Sequence, residues 1–238
     1  MTLNCNAKLA CIAAIVALAA PHAVQAKKPE KIELAADSEM AAVVIKADHW
    51  DPAPNMKSAF KLTLSTYDEV AQKLTGKPFG GSELIEAKKK NFVDGYLIAL
   101  VKPGRWVFQS YSQQDRWALC FNASTLQFEA KAGEVIYLGE LDSRFHRAQL
   151  SAETMKSGKY IISGSGFADF FDLSSGPRLH PVDETQLQTV RTSLAEHTPK
   201  ITAPVRAVEY SPAAFGTGST LWGQRKCGGY FAKGAEGN

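Results

Sequence analysis

GYLIALVKPGRWVFQSYSQQDRWALCFNASTLQFEAKAGEVIYLGEL, from Gly95 to Leu141, is the densest β-forming stretch of the chain. Tyr96 to Val101 is a short apolar run bounded by Asp94-Gly95 and Lys102-Pro103-Gly104, and such a run between turn residues reads as a buried strand. In Lys102-Pro103-Gly104-Arg105 the proline presets φ and the glycine supplies the positive φ of a type II turn. Trp106, Phe108 and Ser110 then alternate with Arg105, Val107 and Gln109. Gln113-Gln114-Asp115 reverses the chain, after which Trp117, Leu119 and Phe121 alternate with Arg116, Ala118 and Cys120. Leu126 to Ala130, a turn at Ala132-Gly133 and Glu134 to Leu141 complete about five strands on short turns, the pattern of an antiparallel meander or sandwich.

Paired in this way, KPGRWVF and FEAKAGEVIYLGEL resemble a group of uncharacterised exported proteins and lipoproteins of Gram-negative bacteria. In that group a Pro-Gly-x-aromatic turn precedes a strand of the type "aGevvYlG". The resemblance spans about Tyr96 to Leu141, with weaker similarity in the flanks. It implies a β-sandwich domain of the cell envelope and carries no catalytic residue to transfer.

The N-terminus agrees with export. Lys8 forms a short basic region, Leu9 to Ala20 an apolar core, and Val24-Gln25-Ala26 a small-x-small cleavage site. This reads as a signal peptide over 1–26, because the apolar run is shorter than the roughly 20 residues a bilayer span needs. A lipid anchor on Cys11 is disfavoured, since lipidated cysteines follow the apolar core and Cys11 lies near its start. The net charge of +3 is close to balance and does not point to a nucleic-acid surface. Lys88-Lys89-Lys90 reads as a solvated loop or edge. Cys120 and Cys227 are the two cysteines beyond the leader, and in an oxidising compartment they suggest one disulfide. The competing assignment makes Cys120 a buried apolar residue and Cys227 a free thiol.

Further out, residues 27–39 read as a flexible leader and Met40 to Ala47 as a first strand. Phe60, Leu62 and Leu64 alternate with Lys61, Thr63 and Ser65, a half-buried strand. Thr66-Tyr67-Asp68-Glu69 matches a capping box and favours a short helix or turn up to Gly76, against a hairpin that continues the strand. Glu83 to Ala87 returns as an edge strand, Asp142 to Gln149 reads as a bent or edge strand, and Lys159 to Ser163 as a further short strand. Gly164 to Pro177 reads as a loop held down by Phe167, Phe170 and Phe171. The clearest helix opens at Asp183, with Gln186 at the third position and Leu187, Val190 and Leu194 on one face, and ends at Thr198-Pro199. Val205 to Tyr210 is a last strand. The expectation is a mainly β chain: an antiparallel, Ig-like or meander sandwich over 40–210 with one helix in its C-terminal half, then a Gly-rich tail over 211–238, tethered if the disulfide forms.

No catalytic, cofactor-binding or metal residue is assigned. Ser163-Gly164-Ser165-Gly166 lacks the spacing of a strained nucleophile turn, and Gly216-Thr217-Gly218-Ser219-Thr220 has no lysine at phosphate-loop spacing. His49, His146, His180 and His197 share no metal-ligand spacing, and Asp142 and His146 read as an exposed pair. Glu134 and Glu140 share a strand face in principle but lie too far apart for one acid–base site. Trp106 and Trp117 sit at period two with apolar companions and read as core. Trp50, in a Pro-rich loop beside His49, is the candidate surface contact. The leading expectation is a periplasmic or secreted, non-enzymatic protein whose partner is another envelope protein or a glycan. It has no cofactor, no nucleic-acid partner and no spanning segment once the leader is removed. The alternative is a carbohydrate-binding or hydrolytic envelope protein with a loop-built site.

Overall fold

The computed structural model describes residues 28–47, 59–75, 82–113, 117–158, 169–219, 223 and 225–228. The leader at 1–26, Trp50 and His49, the 159–163 strand and the 163–166 turn lie outside them. In chain order the strands are β1 Ala41–Ala47, β2 Lys61–Asp68, β3 Lys73–Leu74, β4 Ser82–Glu86, β5 Phe92–Val93, β6 Tyr96–Val101, β7 Gly104–Gln113 and β8 Trp117–Cys120. They continue with β9 Thr125–Ala130, β10 Val135–Leu141, β11 Asp169–Asp172, β12 Leu179–His180, β13 Val205–Ala207, β14 Ser211–Ala213, β15 Gly218–Ser219 and β16 Arg225–Lys226. The helices are α1 Ser143–Ser157 and α2 Glu184–His197.

The chain is mainly β, in two large sheets. The first runs β12-β10-β1-β6-β5, with β13 also on β10. The second runs β11-β8-β7-β2-β3, with β4 on β2 and β9 on β7 and β14. One buried cluster joins their facing sides: Val43, Ile45, Leu97, Ala99, Ile136 and Leu138 from the first meet Leu62, Leu64, Ile85, Trp106, Phe108, Leu119 and Phe128 from the second. Period-two alternation thus delivers one row of each strand to the interlayer, as a sandwich requires. Trp106 and Trp117 are both in this core.

Two of the turns read from the sequence join layers rather than neighbours. β6 pairs with β1 and β5, whereas β7 pairs with β2, β8 and β9. The Pro103-Gly104 corner therefore carries the chain from the first sheet to the second. Ala132-Gly133 carries it back, from β9 to β10. The tight hairpin lies one turn earlier: Asp94 and Gly95 both have positive φ, 49° and 82°, and link β5 to β6. Returning after this excursion, β10 enters beside β1 in the parallel sense, and β13 beside β10 likewise. β11 is parallel to β8. The sheets are consequently mixed where an antiparallel arrangement was expected, because long connections free strand direction.

Two register shifts re-aim side chains. On β7 the pairing with β2 slips between Thr63 and Leu64, whose partners are Ser110 and Phe108, so Gln109 is the extra residue. Beyond it Tyr111 joins the interlayer core, out of step with Trp106 and Phe108. On β10 the slip lies opposite Val44 and Lys46, whose partners are Tyr137 and Glu140. Gly139 sits there at φ 89°, and a Cβ would come 2.7 Å from the His180 carbonyl oxygen. After it Leu141, not Glu140, faces the core. Glu140 pairs instead with Lys46 at 3.3 Å, and Glu134 with Arg206.

Four sequence expectations change. Residues 142–149 begin α1 rather than a strand. Residues 66–75 form a hairpin, β2 with β3, whose turn is held by the Asp68 carboxylate accepting from Ala71 N at 2.9 Å. The 164–177 loop contains β11, and its Phe171 stacks on Trp117 at 5.7 Å. The leader expected to be flexible is docked in its described part. Ile32 and Leu34 are buried, Leu34 bridges to Ile201, and the Gly133 turn lies against Ala36. Its two apolar residues were too sparse to show a period.

Candidate functional site

Among the described residues, an enclosed polar constellation gathers at the start of α1. β10 ends at Leu141, and Asp142 caps the helix, its Oδ1 accepting from Phe145 N at 2.9 Å. Asp142 N also donates to Arg178 O at 3.1 Å, and Arg178 Nε lies 3.4 Å from Asp142 Oδ2. One turn on, His146 is fully buried, not exposed beside Asp142 as expected. Its Nε2 accepts from Arg178 N at 2.8 Å. That bond fixes the tautomer: the proton sits on Nδ1, 3.3 Å from the Gln149 Oε1 that accepts it. Three rings enclose the imidazole, Tyr111, Phe121 and Phe145, with centroids at 5.5, 5.4 and 5.3 Å.

The electrostatics follow from this enclosure. Burial pushes the His146 imidazole below its ordinary value, against the opposing Gln149 hydrogen bond and Asp142 charge, while Arg178 adds to the lowering. Tyr111, whose hydroxyl donates to Ser143 O at 3.2 Å, is raised by burial. The ring is neutral, and its lone pair is spent on a backbone amide. The arrangement pins α1 to the segment before β12 and leaves no free base.

The sequence missed α1 because its buried stripe is Ser143, His146 and Leu150, helical spacing written in residues that do not look apolar. Two signals could have found it. Asp142 is a good N-cap, and Gly158 closes the helix at φ 67°, a left-handed stop that glycine adopts without strain.

The second constellation is the cover of the outer face of the second sheet. Alternation along β8 sends Leu119 inward and Cys120 outward, where the tail can reach it. Cys120 and Cys227 form a disulfide across 107 residues. Phe215 is buried beside it with Tyr67, Leu74 and Val107. Tyr67 OH donates to Ala214 O at 2.8 Å, Phe215 N donates to Asn122 O at 2.9 Å, and Gln109 links Ser65 to the Cys227 carbonyl. Arg225 pairs with Asp172 and lies over the Phe170 ring at 4.7 Å.

A third group ties the layers at one end. Arg206 holds Glu134 through two hydrogen bonds, at 2.8 and 2.7 Å, and donates to Glu129 O at 2.7 Å. Burial alone would raise the Glu134 carboxyl, but hydrogen bonds from Arg206 and Lys131 N outweigh it and hold the group low.

Among the described residues no three of His, Cys, Asp and Glu are placed to hold a metal ion, and no helix is long and apolar enough to cross a membrane. Lys89 and Lys90 lie exposed in a single 3₁₀ turn. The structure brings Cys120 and Cys227 together, whereas Trp50 and His49 are outside its described part. Comparison with protein-family models, curated proteins and solved structures finds no match to this chain.

Proposed function

We propose that this chain is an exported, non-enzymatic β-sandwich protein of the cell envelope that acts by binding a protein or glycan partner through its loops. The observation that carries this reading is the buried Cys120–Cys227 bond. It fastens a glycine-rich tail across a sheet, a device suited to a protein maturing in an oxidising compartment. The polar groups inside the fold support a binding role over catalysis. His146, Glu134 and Tyr111 are each spent on holding elements together. The outer faces carry their own covers, α2 on the first sheet and the tail on the second. That leaves loops as the contact surface, with Trp50 and His49 as its first candidates.

The test is expression of the full chain in a Gram-negative host, followed by fractionation and cross-linking within the envelope fraction. The expected result is a processed chain in the periplasm or medium with no free thiol, and a cross-linked adduct or immobilised-glycan binding that Trp50→Ala abolishes. A cytoplasmic chain with Cys120 and Cys227 as free thiols would overturn the export reading. Turnover of envelope glycan or peptide by the purified protein would overturn the non-enzymatic one.

A further inference from the structure

α1 is a long element that buries little of its length. Of its fifteen residues, Ser143, His146 and Leu150 are buried, and the second half from Ser151 buries none. Its hold on the segment leading into β12 centres on one ring nitrogen, with the Arg178 guanidinium also lying 4.6 Å over the Phe145 ring. The Arg178 amide donates to His146 Nε2 at 2.8 Å, and the neighbouring Asp142 and Arg178 contacts reinforce it. Beneath this join lie Tyr111, Phe121 and Leu150, buried at one end of the interlayer core.

We propose that His146 is an acid-released latch: protonation of its Nε2 breaks the bond to the Arg178 amide, frees α1 from the segment 173–180, and opens that end of the sandwich. This rests on geometry independent of the proposed function. A doubly protonated ring presents an N–H to the N–H of Arg178, so the acceptor becomes a donor facing a donor. The charged groups around the ring oppose or favour the change as follows. From the helix cap, Asp142 favours the cation, but its carboxylate is already engaged by Phe145 N and Arg178 Nε. From the β12 side, the Arg178 guanidinium disfavours it. From β7 comes neutral Tyr111, on which the positive Arg147 of α1 also acts. After β8 comes Phe121, which offers a ring edge and no charge.

The direction with pH follows. An unfolded or opened chain takes up its proton near the ordinary histidine value of about 6.5. The enclosed ring resists until lower pH, in keeping with its burial. Between those two points the open form binds more protons, so the closed form loses stability as pH falls through the window and levels off below it.

The experiment is hydrogen exchange by mass spectrometry on the full, disulfide-bonded chain from pH 7.5 to 4.5, corrected for intrinsic exchange. The expected result is that opening of 143–158 and 173–180 rises as pH falls below the ordinary histidine value, by at most about tenfold per pH unit, and then levels off, while β1, β6 and α2 stay protected. In His146→Gln the amide oxygen still accepts from Arg178 N but does not titrate, so the pH dependence disappears. If that variant does not fold, the imidazole nitrogens of the wild-type chain are followed by NMR. A ring that gains its proton in step with opening of α1 supports the latch. Exchange of 143–158 that is flat with pH, that rises equally in His146→Gln, or that is unaffected while the ring titrates would overturn it.

Discussion

The outer faces of the two sheets are covered by opposite means. On the first sheet, Ala42, Val44, Tyr96, Ile98, Val135 and Tyr137 are roofed by Leu187, Val190 and Leu194 of α2, with Ile32, Leu34, Ile201 and Ala203 filling the margins. On the second sheet the cover is the C-terminal tail with its short strands β14, β15 and β16, and among the described residues its buried cluster is Tyr67, Leu74, Val107, Cys120, Phe215 and Cys227. Among the described residues thirteen buried ones stand against six. A helix that repeats an apolar residue each turn gains enough burial to stay down without a covalent tie. A glycine-rich tail loses more backbone freedom on docking and offers fewer apolar anchors. The disulfide supplies what burial does not, by restricting the unfolded chain.

Removing that bond breaks the comparison most directly. Cys120→Ala with Cys227→Ala is expected to cost about 4–5 kcal/mol by the chain-entropy argument for a loop of this length, read from urea unfolding. Protease is expected to clip the tail after Thr217 while α2 remains intact. A loss under about 1 kcal/mol, inside the low end of the range for disulfides, would mean that Phe215 and the Gln109 hydrogen bonds hold the tail unaided. The two covers would then be alike in kind.

The matching cut on the first sheet is Leu194→Ala. Leu194 is almost wholly buried, and truncating such a leucine costs about 2–5 kcal/mol through lost burial and the cavity left behind. With about 3 kcal/mol expected here, the loss should appear in global stability under chemical denaturation, since α2 packs on β1, β6 and β10 together. If α2 instead frays while the sheets keep their denaturation midpoint, the helix is an appendage and the tail is the more integral of the two.

Legibility in the sequence divides along the same line. α2 was readable because its buried residues are apolar and recur at 3.6, and the capping box at Asp183 marks its start. The inward rows of β2 and β8 were readable because Leu62 and Leu64, and Leu119 and Phe121, keep period two without interruption. The pairing of Cys120 with Cys227 followed from their number beyond the leader. Strand partnership was not readable. Pro103-Gly104 and Ala132-Gly133 reverse the chain equally well within a sheet or between sheets, and local turn chemistry does not distinguish the two. The bulges at Gln109 and Gly139 also escaped, because a one-residue slip leaves composition unchanged and alters only which row faces in. The His146 cluster was hidden for a third reason. Its partner is the backbone amide of Arg178, thirty-two residues away, and a backbone group carries no sequence signature.

The finest test of the contrast concerns how α2 begins. Asp183 accepts from Gln186 N at 2.7 Å, and the Gln186 side chain accepts from Asp183 N at 3.1 Å, so two backbone donors at the helix start are satisfied reciprocally. Both bonds are solvent-exposed, and water can replace them in part. Asp183→Ala is therefore expected to cost about 1 kcal/mol, well below Leu194→Ala, and to act at the first turn without loosening Val190 or Leu194. Asp183→Asn should restore most of it, because an amide oxygen caps as well as a carboxylate, leaving only the small interaction with the helix dipole. If Asp183→Ala equalled Leu194→Ala in cost, the cover of the first sheet would depend on where its helix starts rather than on what it buries. Burial would then not explain why this face dispenses with a covalent bond.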